Sequence, residues 1–292
     1  MRLAATTLGC PAWDAERAFS AVSGMGYAGI ELRCLGGALL SPTLDAEARR
    51  QIRALSERHR LPVVALGASS QFSSPDPAVR AAQEEDLRGM LRLAADIGAP
   101  LVRAYGGGSA APAGLVEDVA RTYGGAFPAG YTEDTVAGWI AASLERVLPL
   151  ARRLSVDIVL ETHDGLSSAR RMAAVLKRLP DPQVGALWDV LHPTRVGETP
   201  EEVWALIGPR VRHVHFKDAA RGTDGRWRAV LDGDGEVPLR RCLGILRGAG
   251  YGGWLTLEWE KYWEPEIADP EEALPRKLET VRGWLREMGA GS

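Results

Sequence analysis

The feature that most constrains the fold of this chain is an alternation of strand-like and helix-like segments, repeated eight times along 292 residues. Each short apolar run is followed by a longer stretch with the spacing of an amphipathic helix, and one unit averages about 36 residues. This repeat predicts an α/β protein, a closed (β/α)8 TIM barrel forming a single domain over residues 1–292. The predicted strands are residues 3–9, 29–33, 63–67, 101–105, 158–162, 185–189, 211–216 and 253–259.

The segments between the predicted strands favour the closed barrel over the other fold considered, an open doubly wound sheet. Such sheets usually carry a GxGxxG turn after the first strand, and this sequence has none there. One connection, residues 106–131, is rich in Gly, Ala and Pro and far exceeds the usual length of about 2–6 residues, which indicates a functional loop or a flexible segment. The predicted helices are residues 14–25, 44–59, 77–97, 133–154, 167–179, 200–207, 239–248 and 270–288.

Four of the later strands carry carboxylate or imidazole side chains where apolar ones are usual. Alternate residues of a strand share a face, so the charged side chains of one strand point the same way. Catalytic groups collect at the carboxyl ends of strands in parallel α/β folds, and a site is therefore predicted there. The residues concerned are Glu161 and His163 on strand five, Asp189 and His192 after strand six, His213, His215 and Lys217 on strand seven, and Glu258 and Glu260 on strand eight.

Composition excludes several classes of protein. The net charge of -3 gives no basic excess for binding nucleic acid or an anionic membrane surface. Three cysteines without CxxC spacing argue against a disulfide framework or a structural zinc site. The sequence shows no signal-peptide core and no run approaching the roughly 18 apolar residues of a membrane span. We therefore expect a cytoplasmic protein that acts on a small molecule.

These motifs together resemble the xylose-isomerase-like TIM barrel superfamily, the sugar phosphate isomerase/epimerase family. Its members include sugar isomerases, ketose 3-epimerases, hydroxypyruvate isomerases, inosose and dehydroshikimate dehydratases, and endonuclease-IV-type AP endonucleases. The resemblance spans nearly the whole barrel, and its motifs are specific only in combination. They are Gly29-Ile30-Glu31-Leu32, Glu161-Thr162-His163, Asp189 with His192, His215-Phe216-Lys217-Asp218, Gly233-Asp234-Gly235-Glu236-Val237, and Glu258.

The resemblance implies one divalent metal ion, commonly Mn²⁺, held by Glu161, Asp189, His215 and Glu258. Three carboxylates with one imidazole also suit Mn²⁺, Mg²⁺ or Co²⁺ better than a thiol-rich zinc site would, although Zn²⁺ stays open. In the epimerases that this chain resembles, the glutamates matching Glu161 and Glu258 flank the substrate. One removes a proton and the other returns it, through a metal-stabilised enediolate.

Four further residues are predicted to bind substrate, each with a structural alternative. His192 matches a substrate-contacting histidine of the family, or it caps a helix before Pro193. His163 and Lys217 face inward by alternation, and Lys217 is equally able to pair with Asp218 or Glu260. Arg103 lies at the mouth of strand four and could clamp an anionic group or form a surface ion pair. Outside this set, Glu31 and Arg33 match the strand-two motif, and we expect each of them to support a ligand or to contact substrate rather than to bind the metal.

The leading hypothesis is a metal-dependent isomerase or epimerase of a small carbohydrate or polyol. A dehydratase of the inosose or dehydroshikimate type begins with the same proton abstraction, and the sequence does not separate the two. An AP endonuclease would need further histidines after strands three and four, where residues 66–70 and 103–106 have none. A non-catalytic sugar-binding barrel is the remaining alternative, and intact ligands count against it. The substrate and any homo-oligomeric state are left open.

Overall fold

The computed structural model describes residues 1–107 and 127–290, and within them eight parallel strands close into a barrel. Residues 108–126, which include Tyr123 and form most of the long interval after the fourth strand, therefore lie outside the described residues. The strands are β1 (Arg2–Thr6), β2 (Gly29–Leu32), β3 (Val63–Gly67), β4 (Leu101–Tyr105), β5 (Asp157–Glu161), β6 (Val184–Asp189), β7 (Val211–Phe216) and β8 (Trp254–Leu257).

Strand pairing confirms the closed barrel. Each strand lies beside its neighbour in sequence, and β8 returns to pair with β1, with Leu255 opposite Leu3 and Leu257 opposite Ala5. The register shifts at two places, between Ile30 and Glu31 where β2 meets β3, and where β6 meets β7. Parallel strands of a closed barrel all end at the same rim, so every βα connection opens on one face of the molecule.

A helix follows each barrel strand. Several begin where the sequence offers a capping side chain: Asp14 accepts a hydrogen bond from the Arg17 amide, and Thr199 forms a capping box with Glu202. A short extra helix, Leu191–Arg195, directly follows β6. The eight principal helices are α1 (Ala15–Met25), α2 (Ala46–His59), α3 (Pro77–Ile97), α4 (Glu133–Leu154), α5 (Ala169–Arg178), α6 (Pro200–Ile207), α7 (Leu239–Gly248) and α8 (Pro270–Ala290).

Alternation along the strands separates the core from the site. In β5, Ile158 and Leu160 belong to the large apolar cluster between the strands and the helices. Val159 instead joins a small buried cluster with Leu187 of β6 on the opposite face of the strands. Two residues further along the same inward face come the carboxylates at the ends of β5 and β6. The barrel interior is therefore apolar around the middle of the strands and polar at their carboxyl-terminal ends.

Two hairpins stand on that end of the barrel. One joins Cys34–Leu35 to Ala38–Leu39, and the other joins Asp218–Arg221 to Trp227–Val230. The sequence predicts a hairpin-like excursion after β7, and the structure places it earlier, beginning directly at Asp218.

The first strand is shorter than the sequence predicts. β1 ends at Thr6, and residues 7–9 form a 3₁₀ turn. Two hydroxyl groups explain this: the Thr6 hydroxyl accepts from the Leu8 amide, and the Thr7 hydroxyl accepts from the Arg33 amide at 2.9 Å. In the described part of the chain, no helix combines the length and apolar composition needed to cross a membrane.

Candidate metal centre and active-site pocket

A pocket of about 340 Å³ opens at the carboxyl-terminal rim of the barrel. Its floor is formed by side chains at the ends of the strands, among them Arg33, Glu161 and Glu258. Its outer wall includes Trp227 of the second hairpin and Trp263, which follows β8. A cavity of this size and position is typical of a small-molecule site on a barrel.

The four predicted metal ligands converge at the base of this pocket. One ligand atom from each of Glu161, Asp189, His215 and Glu258 lies within 4.8 Å of the others, and all four side chains are buried. They come from β5, β6, β7 and the residue after β8, which are consecutive around the barrel. The group is therefore compact enough to hold a single metal ion.

The two nitrogens of the His215 ring face different carboxylates. Nδ1 lies 3.2 Å from Glu161 Oε1 and 3.5 Å from Glu258 Oε1. Nε2 lies 3.0 Å from Glu31, which also contacts His213 Nε2 at 2.8 Å. The Glu31 carboxylate thus lies against Nε2 of both rings, and Nδ1 is the nitrogen of His215 that faces the other carboxylates of the group.

His213 lies deeper in the barrel than His215 and is fully buried. Its Nε2 contacts Glu31 and, at 2.9 Å, the Thr256 hydroxyl. Glu31, His213 and His215 form a second group with metal-ligand spacing, but hydrogen bonds already link all three side chains. We interpret them as a hydrogen-bonded support beneath the first group, as expected for a barrel-filling histidine.

The donor set fits a divalent cation on two observations. Glu161 Oε2 and Asp189 Oδ2 are buried and accept no hydrogen bond of normal geometry from the described residues. Three carboxylates, those of Glu161, Asp189 and Glu258, converge with one imidazole, and this oxygen-rich donor set suits a hard divalent cation.

Protons take up part of this negative charge in the metal-free protein. Burial raises the pKa of Asp189 to about 6, with Lys217 acting against the rise. Burial would lower the pKa of His215, but Glu31, Glu258 and Glu161 outweigh it and hold that pKa well above its usual value. The site therefore binds protons where a metal ion would otherwise sit.

Lys217 pairs with three carboxylates at once. Its Nζ lies 2.7 Å from Glu258 Oε2, 2.9 Å from Asp189 Oδ2 and 3.0 Å from Glu260 Oε1. Asp218, the other partner considered from the sequence, instead accepts backbone N–H groups of its own hairpin and of the turn that follows. Burial disfavours the charge on Lys217, yet these carboxylates raise its pKa well above the usual value, so it is an ammonium.

His163 and His192 lie side by side on the pocket wall. Their ring centroids are 4.1 Å apart, and Tyr105 packs on His163 at 4.8 Å. His163 Nδ1 lies 3.0 Å from Asp164, which raises the pKa of His163 despite its burial. Burial, reinforced by His163 and Lys217, holds the pKa of His192 well below its usual value. His192 is therefore neutral, and its ring can both donate and accept.

Arg103 lies behind the metal-ligand group. Its side chain is 1% exposed, its Nη1 donates to the Ala68 carbonyl, and its Nε lies 3.1 Å from Glu161 Oε2. Among the described residues, those that line the pocket do not include Arg103. Burial raises the pKa of Glu161, but Arg103 and His215 reverse the effect and lower it. Arg103 thus keeps Glu161 ionised.

Arg33, which was expected to support a ligand or to contact substrate, lines the pocket floor. Two features of the pocket were not predicted. Asp164 pairs with His163 although nothing in the sequence except adjacency indicates it. Trp227 reaches the outer wall because the second hairpin folds back over the rim, and the sequence carries no signal for that direction.

Among known proteins, one relative matches nearly the whole of this chain and another matches about half of it. The chain is 24% identical to fructoselysine 3-epimerase of Escherichia coli O157:H7 over 281 residues, which cover 93% of this chain and 94% of the relative. It is 28% identical to inosose dehydratase of Lacticaseibacillus casei over 150 residues, covering 46% and 49% of the two chains.

Among solved structures, the fold is similar to the IolI protein with a bound zinc atom. The TM-score is 0.78, the identity is 16%, and the match covers 98% of this chain and 99% of the other. A family model described as xylose isomerase-like TIM barrel matches residues 19–288. With its closed barrel and its polar carboxyl-terminal rim, the chain belongs to the xylose isomerase-like TIM barrel family.

Proposed function

We propose that this protein is a divalent-metal-dependent epimerase or isomerase that moves a proton next to the carbonyl of a small sugar or polyol-derived ketone. The observation that carries the proposal is the buried group of Glu161, Asp189, His215 Nδ1 and Glu258 at the base of an open pocket. The full-length relative from E. coli is named as an epimerase, whereas the dehydratase relative matches about half of this chain.

Glu161, Asp189, His215 and Glu258 would hold the metal ion in this proposal. Their oxygen-rich donor set favours Mn²⁺, with Mg²⁺, Co²⁺ and Zn²⁺ able to use the same ligands. When bound, such an ion supplies Lewis acidity that polarises the substrate carbonyl and acidifies the neighbouring C–H bond.

Glu161 and Glu258 exchange the proton with the substrate carbon in our proposal. Each would bind the metal through one carboxylate oxygen and use the other for the proton. Glu161 is held ionised by Arg103, and Glu258 lies against the Lys217 ammonium at 2.7 Å. One carboxylate removes the proton and the other returns it to the opposite face, which inverts the carbon. Positioned acid–base catalysis of this kind contributes on the order of 10²–10⁴-fold.

His163, His192 and Lys217 are the residues we propose for binding substrate oxygens. All three line the pocket. The Lys217 ammonium is fixed by Glu258 and Glu260, so it presents a charged N–H donor at a defined position. Neutral His192, whose Nε2 has no hydrogen-bond partner among the described residues, offers a donor or an acceptor to a hydroxyl group. Arg103, which we predicted to bind substrate, serves instead to hold Glu161.

Deuterium exchange tests the proposal. The Mn²⁺-loaded protein is incubated in D₂O with a panel of ketoses and inososes, and NMR follows exchange at the carbon next to the carbonyl. We expect epimerised or isomerised product carrying deuterium, with the rate reduced at least about 10²-fold in Glu161→Gln and Glu258→Gln. Glu145→Gln, on an exposed face of α4, is the control and should match the wild type.

The product separates the two enzymatic possibilities. Loss of water after the exchange would identify a dehydratase. Absence of exchange with every hydroxy-ketone, in protein shown to contain the metal, would refute the proposed function.

A further inference from the structure

At the rim of the barrel interior, the metal-ligand group and two buried arginines occupy different sides, although Lys217 lies on the first side and Glu31 of β2 on the second. The strands from β5 to β8 contribute the carboxylates of the metal-ligand group. On the opposite side, β4 carries Arg103, and Arg33 directly follows β2, with Gly67 of β3 between them. Both guanidinium side chains are buried.

Gly67 makes room for this pair of arginines. A Cβ atom on Gly67 would lie 2.6 Å from Arg33 Cδ and 2.9 Å from Arg103 Nη2, so any side chain there would displace them. The arginines also donate to backbone carbonyls on this wall: Arg33 Nη1 to Gly67 at 3.0 Å, and Arg103 Nη1 to Ala68 at 2.9 Å. The two guanidinium groups therefore lie on the same wall of the barrel, and these carbonyl contacts do not neutralise the positive charge of either one.

The two arginines differ in their partners. Arg103 has a carboxylate partner, Glu161, at 3.1 Å. In the part of the chain that the structure describes, no carboxylate lies within 4.0 Å of the Arg33 guanidinium, and its Nε is buried without a hydrogen-bond partner. Burial and the neighbouring Arg103 both lower the pKa of Arg33. A buried charge without a carboxylate partner is costly, so an anionic ligand beside Arg33 would supply the partner that the described residues do not.

Arg33 also reaches the pocket. It lines the floor, whereas Arg103 does not appear among the described lining residues. Ser69 and Gln71, both exposed in the loop after β3, lie on the same wall. A guanidinium with neighbouring hydroxyl and amide groups matches the oxygen geometry of a carboxylate or a phosphate.

We propose that Arg33 forms an anion subsite and that the substrate is a hydroxy-ketone carrying a carboxylate or phosphate group. This inference rests on the proposed function, because it concerns the same pocket. The reacting carbon faces the metal-ligand half of the barrel, and the anionic group is held on the Arg33 half. The subsite thereby selects charged sugars over neutral ones and sets which end of the substrate faces Glu161 and Glu258.

Matched non-reacting ligands test the subsite. Ribitol, ribonate and ribitol 5-phosphate are titrated calorimetrically into the Mn²⁺-loaded wild type, Arg33→Gln and Arg33→Lys. We expect the wild type to bind one of the anions at least about 10-fold more tightly than ribitol. Arg33→Gln should lose that preference while its ribitol Kd changes less than about 3-fold, and Arg33→Lys should retain part of it. The preferred anion tells carboxylate from phosphate.

Two results would overturn the subsite. One is equal binding of all three ligands to the wild type. The other is a preference that survives in Arg33→Gln, because the anion would then bind the metal instead. The metal content and thermal unfolding of both variants establish that they are folded. If Arg33→Gln does not fold, Arg33→Lys alone still tests the subsite. Failure of the proposed function is seen separately, as the absence of deuterium exchange with any hydroxy-ketone.

Discussion

His215 lies between two sets of carboxylates and uses one ring nitrogen for each. Nδ1 faces Glu161 and Glu258, and Nε2 faces Glu31 at 3.0 Å. A carboxylate on the far nitrogen fixes the tautomer and the ring orientation of a metal-binding histidine. Glu31 is therefore as much a part of the proposed centre as the residues that would touch the ion.

Substitution of Glu31 tests this support. Glu31→Gln should raise the Kd for Mn²⁺ by roughly 10–100-fold, because the amide no longer fixes the His215 tautomer. Thr256→Val is the matched control: it removes the 2.9 Å contact with His213 but leaves Glu31 on His215, and its Kd should stay within about 3-fold of the wild type. Calorimetric titration measures both, and equal losses in the two variants would contradict the assigned role.

The pKa shifts predict that metal binding depends on pH. In the metal-free protein, the raised pKa of His215 leaves it protonated at pH 7, and Asp189 adds a second proton below about pH 6. The metal must displace these protons, so its apparent affinity rises with pH and falls most steeply below about pH 6. Calorimetry at pH 7 in buffers of different ionisation enthalpy should show about one proton released per metal ion, and no release would contradict the assignment.

Strand alternation predicts which site residues point inward, but not which of them touch. It places His215 and Lys217 on one face, and the strand ends bring Glu161 and Asp189 to the same rim. The partners of Lys217 depend on the pairing of β7 with its neighbours, so the contact with Glu258 in place of Asp218 could not be predicted. Arg33 was expected to support a ligand or to contact substrate, but its packing against Gly67 could not be predicted, since Gly67 lies on another strand.

At the level of elements, Asp218 anchors the second hairpin to the rim. Its carboxylate accepts hydrogen bonds from the backbone amides of Ala219, Gly233, Gly235 and Val237, at 2.9–3.1 Å. A Cβ on Gly235 would lie 2.1 Å from Asp218 Oδ1, so the turn closes tightly on the carboxylate. This explains how a solvent-facing hairpin can hold Trp227 in a fixed place on the pocket wall.

Removal of this anchor should loosen the hairpin. Asp218→Ala leaves four backbone amides without their acceptor and should lower the free energy of unfolding by about 2–4 kcal/mol. Hydrogen exchange at Gly233, Gly235 and Val237 should become faster. Asp224→Ala, at the exposed tip, removes the contacts with Arg228 and with the Arg226 amide and should leave exchange at Gly233, Gly235 and Val237 as in the wild type. Unchanged exchange in Asp218→Ala would contradict the anchor.

Helices α3 and α4 are joined by an ion pair in which the Glu84 carboxylate is buried and the Arg146 side chain is 52% exposed. Arg146 contacts both oxygens of Glu84, at 2.6 and 3.0 Å, and Arg146 outweighs the effect of burial to lower the pKa of Glu84. A carboxyl whose pKa is lower in the folded state than in the unfolded state stabilises the folded protein at pH values above its unfolded pKa of about 4.3. This contribution is lost as the pH falls through the pKa of the folded state.

Glu84→Gln should accordingly destabilise the protein by about 1–3 kcal/mol at pH 7. The difference from the wild type should shrink as the pH is lowered towards about 3, because the wild-type carboxyl then becomes neutral as well. Glu85→Gln, at an exposed neighbouring position, should unfold like the wild type across this pH range. Urea unfolding across this pH range measures both, and a difference independent of pH would contradict the ion pair.

The sequence predicts most element boundaries where a cap or a periodic pattern marks them. The bounds of α3 and α4 match the prediction, because Asp76 and Thr132 cap their first turns and Gly98 ends α3 in the left-handed region. The end of β1 does not match, because its 3₁₀ turn depends on the contact of the Thr7 hydroxyl with the Arg33 amide, 26 residues further along the chain. Contacts of that range leave no local pattern in the sequence.

At the scale of the whole molecule, the repeat predicts the barrel before any contact is known. Eight strand–helix units of similar length, without a composition break, allow few arrangements other than a closed ring. The chemistry of this ring follows its order: β5 to β8 contribute the proposed metal ligands, and β2 to β4 contribute Arg33 and Arg103. A substrate in the pocket would lie between these two halves.

The most direct test of the central claim is the metal stoichiometry of the purified protein. The wild type, Asp189→Asn and Glu260→Gln are stripped of metal, dialysed against Mn²⁺ and analysed for bound ions. We predict one equivalent per chain in the wild type and in Glu260→Gln, whose carboxylate pairs with Lys217 outside the ligand group, and none in Asp189→Asn. An absence of bound metal in the wild type, two or three equivalents per chain, or full retention in Asp189→Asn would contradict the account.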